Sequence, residues 1–272
     1  MNRLTQKIAC ARCIACTVKD KRVIMKKIYI LWLRQIKRYS RSKSRILGSL
    51  AQPLLFLLAL GYGFGSVYQQ AGQGNYINFL APGVIGMSII FTAVFSGIEI
   101  IWDRQFGFLK ETLVAPISRL DIMIGRTLGG ATVATIQGII VLSLSLLFGF
   151  HPYSWLGIFP AIVIMFLIAL LFTSLGTMIA SLLEDMQGFQ LIMNFLIMPL
   201  FFLSGALFPL DGLPKTLSIV IRLDPLSYGI DALRILLINA GHYSLRMDII
   251  VLGAITAVFL WLGSYFFKRI QI

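Results

Sequence analysis

Few residues in this chain have the types and spacing that chemistry requires. Cys10, Cys13 and Cys16 form C-x-x-C-x-x-C, spaced like part of an iron–sulfur cluster motif, but the fourth cysteine is missing. The three are weak candidates for cluster or zinc ligands, and with no other cysteine in the chain disulfides take no part in the fold. The two histidines, His151 and His242, fall between apolar segments without a Ser/His/Asp constellation around them, and read as ordinary interface residues. No G-x-x-x-x-G-K-[ST] loop is present to cradle nucleotide phosphates, so the chain does not hydrolyse ATP itself. No paired carboxylates suggest a membrane enzyme acting on lipid. The chemistry lies elsewhere, and the elements that dominate the chain are apolar.

Of 272 residues, 58% are hydrophobic and only 13% charged, against about 45–50% and about 25% in a soluble domain. The mean hydropathy is +0.86. A soluble core of that composition would leave too little polar surface to cover itself. The net charge of +13 could suggest a nucleic-acid binder, but most of the excess lies between Arg3 and Arg45, where Asp20 is the only acid, and no recognition motif accompanies it. A basic tail beside an apolar segment is the cytoplasmic, anionic-lipid-facing end of a membrane protein; no nucleic-acid partner is expected.

Six long apolar segments follow, at 46–66, 80–101, 122–148, 155–183, 189–208 and 249–267. Each is near the ~20 residues a spanning helix needs. Barrel strands would alternate over shorter stretches. The predicted fold is therefore an all-α membrane protein of six transmembrane helices. Only Glu99 and Arg126 are charged within the segments, both near an end, where they are expected to snorkel to the interface. Loop charges orient the chain. The tail before the first segment, the Trp102–Asp121 loop with Arg104, Lys110 and Arg119, and the 268–272 tail fall in the cytoplasm; Val67–Phe79 and Gly149–Ser154, without Lys or Arg, fall outside. Glu184–Gly188 and Pro209–Asp248 fit less well: the first has no basic residue, and the second has four balanced by four acids. The even count places both termini in the cytoplasm of a multi-pass protein in the cell's inner or plasma membrane.

Three shorter stretches carry more specific patterns. Residues 26–45 read as an amphipathic interfacial helix, with Ile28, Leu31, Trp32, Ile36 and Tyr39 on one face and Arg34, Lys37, Arg38, Arg41 and Arg45 on the other. In the loop after the second segment, Phe106, Leu109 and Leu113 give a short helix one apolar stripe among Arg104, Lys110 and Glu111, with Pro116 to stop it and Ser118 with Asp121 to cap the next helix. Such a helix either rests on lipid or docks into a partner. The third stretch has Pro199 inside an apolar run, where it kinks a helix, then SGALFP with Gly205 and Pro209, then DPLSYGIDALR with Pro225, Tyr228, Asp231 and Arg234. Leu213–Ala240 is too broken for further spans and reads as short helices dipping into the outer leaflet and returning.

At these residues the chain resembles the permeases of type-2 ATP-binding-cassette exporters, over roughly Ile28–Phe267. The likeness rests on the basic interfacial helix, RQFGFLKETLVAPISR, the Pro-containing fifth span ending in SGALFP, and PLSYGIDALR. It is nearest to the drug-efflux, nodulation-factor and polysaccharide branch that includes daunorubicin-resistance-type permeases. The resemblance implies a permease subunit that is not an enzyme. Two copies would pair, driven by separate cytoplasmic ATPases that bind ATP and Mg. It implies a coupling helix at about Arg104–Ala115, an external re-entrant cap at Pro209–Asp248, and a pathway lined by the first, second and fifth spans. The cargo would be a hydrophobic or amphipathic drug, lipid, or lipo- or polysaccharide. Since the likeness starts near Ile28, residues 1–25 are expected to be a basic cytoplasmic leader that the transport fold can dispense with. The reading from another class is an ion- or proton-coupled carrier or channel without an ATPase; that needs ionisable groups deep in the membrane, and none of the six segments has one at its centre.

Overall fold

The computed structural model describes residues 25–65, 68, 75–107, 118–208 and 214–267. Among these the regular structure is entirely helical. Helix α1 covers 25–41 and α2 Lys43–Gly63. Then come α3 (Tyr76–Phe95), α4 (Ile98–Gln105), α5 (Arg119–Leu147), α6 (Ile158–Leu182, led in by a 3-10 turn), α7 (Met186–Leu203), α8 (Lys215–Leu223), α9 (Pro225–Ile238) and α10 (Leu245–Phe267). Six stretches are long and apolar enough to cross a membrane: α2, the run Tyr76–Gln105, and α5, α6, α7 and α10.

Polar side chains set the helix ends. The Asn75 side chain accepts the Ile77 amide at 3.0 Å, Ser118 Oγ accepts the Asp121 amide at 3.1 Å, and Asp185 Oδ2 accepts the Gly188 amide at 2.7 Å. Each satisfies an N–H that its helix cannot pair. Pro225 opens α9 at a position where its missing N–H costs nothing, behind the capping carboxylate of Asp224.

Three boundaries differ from the periodicity. The first helix ends at residue 41, with a break at Ser42, so Arg45 stands on α2. The second apolar run is interrupted at Ser96–Gly97 and then continues to Gln105, which carries Trp102 and Asp103 into helix rather than loop. Helix α7 ends at Leu203, leaving 204–208 as a turn in which Gly205 takes φ +71°.

The second run lies at the centre: 72% of its most apolar stretch is buried, against 17% for α2 and 22% each for α7 and α10. It packs against α2, α5, α6 and α9, while α10 covers α6 and α9. Small residues permit the tightest approach. A Cβ on Gly97 would lie 2.5 Å from the Gly176 carbonyl oxygen of α6. Without a hydrophobic drive between helices in lipid, such close backbone contact is a main source of association. It fixes the turn from which α4 departs, and α4 carries the carboxylates of the site.

Candidate functional site

The site begins with a groove in α5. Gly125 and Gly129 lie one turn apart on one face, and the α1 backbone and side chains fill the space their missing Cβ atoms leave. A Cβ on Gly129 would meet Gln35 Cγ at 2.6 Å, and one on Gly125 would meet Leu31 Cβ at 3.0 Å. Two polar contacts hold α1 there: Trp32 Nε1 donates to Thr132 Oγ1 at 3.0 Å, and the Tyr39 hydroxyl donates to the Gln137 side-chain oxygen. Leu31 and Tyr39 are buried.

That seating aims the other face of α1 at α4. Glu99 and Asp103 are four residues apart on α4, as Arg34 and Arg38 are on α1, so each pair projects from one helical face. Arg34 Nη2 donates to Asp103 Oδ1 at 3.1 Å, Arg38 Nη1 to Glu99 Oε2 at 3.2 Å, and Arg38 Nη2 to Asp103 Oδ1 at 3.4 Å. Arg45 of α2 donates to Glu99 Oε1 at 2.8 Å, and Arg126 of α5 to Asp103 Oδ2 at 2.6 Å. Four helices thus converge on two carboxylates. Burial opposes the charge on Arg38, but Glu99 and Asp103 outweigh it and hold its pKa above the ordinary guanidinium value. Glu99 and Arg126 do not snorkel as expected; both are buried, Glu99 between Arg38 and Arg45 and Arg126 against Asp103.

The same end carries the start of the expected coupling segment. Arg104 Nη2 reaches Glu184 Oε1 of the α6–α7 turn at 2.6 Å, and Gln105 Nε2 donates to the Glu184 carbonyl at 3.2 Å. Phe106 is exposed and packs edge-on to Trp102. Leu109, Lys110, Glu111 and Leu113 lie outside the described residues, as do Cys10, Cys13, Cys16, Pro209 and residues 1–24 and 268–272. Among the described residues no cluster of three or more His, Cys, Asp or Glu side chains could hold a metal ion.

At the opposite end, Gly205, Tyr228, Asp231 and Arg234 come together, while Pro199 lies within α7. Arg234 Nη2 donates to the Gly205 carbonyl at 2.7 Å and its guanidinium sits 4.0 Å over the Phe79 ring. Burial pulls its pKa down to about 10, against the opposing pull of Asp231. Asp231 accepts the His242 and Tyr243 amides, both at 2.8 Å, and Tyr228 stacks on Tyr243 while donating to the Arg222 carbonyl at 2.8 Å. Side chains thus tie α9 to the 204–208 turn and to the lead-in of α10.

The profile of the ABC-2 type transporter family matches residues 26–238, from α1 through α9. The chain belongs to this family. Among relatives, it is 31% identical to Nodulation protein J of Rhizobium leguminosarum bv. trifolii, over 80% of each chain. It is 27% identical to the "Putative transport permease ycf38" of Cyanophora paradoxa, over 90% of this chain and 89% of that one. This protein is a membrane-embedded transport permease of the ABC-2 type.

The periodicity of the permease did not single out the charge cluster, although its signal was present. Two acids and two arginines at four-residue spacing, beside apolar segments, are the pattern from which intramembrane pairing is argued.

Proposed function

We propose that this permease is the membrane-spanning subunit of an ATP-driven exporter. Two copies pair and two separate cytoplasmic ATPases, which bind ATP and Mg, drive them. The observation that carries this is the position of the charge cluster. It locks α1, α2 and α5 onto α4, and α4 leads directly into the loop that carries the proposed docking stripe. Motion imposed on that loop by ATPase closure would therefore be passed to four helices as a body. Pairing is supported by the outer faces of α2 and α7, adjacent through Phe56 and Phe201, where Leu55 and Phe195 remain exposed. The termini face the cytoplasm of the cell's inner or plasma membrane. The cargo is a hydrophobic or amphipathic molecule in the range of drug, lipid, or lipo- or polysaccharide. A carrier without an ATPase is disfavoured, because among the described residues the buried charges form layers at the two ends and none lies between them.

The test is docking. Burying Phe106 and Leu109 in an ATPase groove would contribute about 1.5–3 kcal/mol per large side chain. The double substitution Phe106→Asp, Leu109→Asp leaves every span intact, so the permease still inserts but no longer copurifies with its ATPase in gentle detergent. A complex that survives the double substitution overturns the docking role of this loop.

A further inference from the structure

Between α1, α2, α3, α4 and α5 the permease forms a half-open cavity of about 280 Å³. One end is apolar, lined by Pro53, Phe91, Phe95 and Val133; the other is formed by Arg45 and Glu99 of the charge cluster. On its wall Thr92 Oγ1 is buried without a hydrogen-bond partner. Gly48, exposed and also lining the cavity, stands at its mouth, and a Cβ there would meet nothing within 4 Å. Three features define what fits. The apolar end suits hydrocarbon and is unfavourable for water, which needs two to four polar partners. The orphaned hydroxyl calls for a carbonyl part-way along the occupant, since a buried polar atom without a partner is costly. The rim adjoins a net-positive cluster: Arg45 lines it beside Glu99, and behind Glu99 stand Arg34, Arg38 and Arg126 with only Asp103 as a further carboxylate, while Arg41 and Lys43 are exposed close by in the chain.

We infer that this cavity is a binding site for one anionic phospholipid of the adjoining leaflet. One acyl chain lies between Phe91, Phe95 and Val133, its ester carbonyl accepts from Thr92, and its phosphate sits at Arg45. The lipid fills the gap that α1 leaves against α2 and α3, and so fastens the interfacial-type helix to the bundle. This assignment does not depend on what the permease exports or on its ATPase.

The experiment uses the full-length permease purified alone in mild detergent and titrated with dioleoyl phosphatidylglycerol, with bound lipid counted by native mass spectrometry. Wild type should retain one lipid at least tenfold more tightly than the rest, and dioleoyl phosphatidylcholine should be held more weakly. Gly48→Leu fills the mouth without a clash and should abolish the tight lipid. Gly253→Leu, on an exposed face of α10 where a Cβ also meets open space, should leave it unchanged. Thr92→Val keeps the shape but removes the hydroxyl, and should weaken retention several-fold even if Gly48→Leu fails to fold. Equal retention by wild type, Gly48→Leu and Thr92→Val overturns the site. Loss in both glycine variants means the lipid was bound only to the outer surface, and overturns it equally; equal affinity for phosphatidylcholine overturns the role of the positive rim.

Discussion

Arg126 of α5 donates to Asp103 of α4 at 2.6 Å, and the two side chains are only 3% and 2% exposed. No other ion pair among the described residues is buried on both sides to this degree. Asp103 also accepts from the half-exposed Arg34 and Arg38, so losing Arg126 leaves its carboxylate paired, whereas losing Asp103 strands the buried Arg126. Asp103→Ala should therefore destabilise the permease by roughly 3–5 kcal/mol. The double substitution Arg126→Met, Asp103→Leu should recover a large part of that loss in thermal unfolding of the detergent-solubilised protein. If the double variant is as unstable as the single, the pair's attraction outweighs its desolvation.

The groove on α5 gives a second expectation. Gly129→Leu puts a side chain where Gln35 Cγ and Cβ now lie, 2.6 and 2.7 Å from the new Cβ. Helix α1 must lift, taking Arg34 and Arg38 away from Asp103 and Glu99. Limited proteolysis should then cut within 25–41 in the variant and spare wild type, with the six spans still inserted. Gly253→Leu, where a Cβ meets open space, should cause no such change.

Asp224 caps α9 outside the spans, and burial raises its pKa from 3.8 to about 7 despite hydrogen bonds from the Leu226 amide and Ser227. In the unfolded chain the group loses its proton near 4, so between about pH 4 and pH 7 the folded state binds the extra proton. This group's contribution to stability therefore falls as pH rises through that window, by roughly 1.4 kcal/mol per pKa unit of displacement. Asp224→Asn should flatten the decline in Tm expected for wild type between pH 5 and pH 8. An unchanged slope would show that other groups carry it.

The proposed orientation predicts reporter activity. A reporter active only outside the cytoplasm should be active when fused after Gln73 or His151 and silent after Lys110. Activity after Lys110 would invert the protein in the membrane.

The proposed division of labour predicts that the purified permease shows no nucleotide hydrolysis above background. Hydrolysis that persists after every partner protein is removed would place an ATPase in this chain.

Six membrane-length helices were legible from composition alone, because a bilayer accepts only chains whose backbone groups are paired internally and whose surface is apolar over about 20 residues. The family was legible from short stretches such as SGALFP and PLSYGIDALR, which no apolar helix needs. What the sequence could not decide was the fate of its charges. Arg34, Arg38 and Arg45 look, on a helical wheel, like a solvated basic face, and Glu99 and Arg126 like residues reaching for water. Their pairing depends on Gly125 and Gly129 admitting α1, and on Gly97 meeting Gly176 so that α4 leaves at the right angle. Those are contacts between residues far apart in the chain. Periodicity reports which face of a helix is polar; only the packed backbone decides whether that face meets water or an opposite charge.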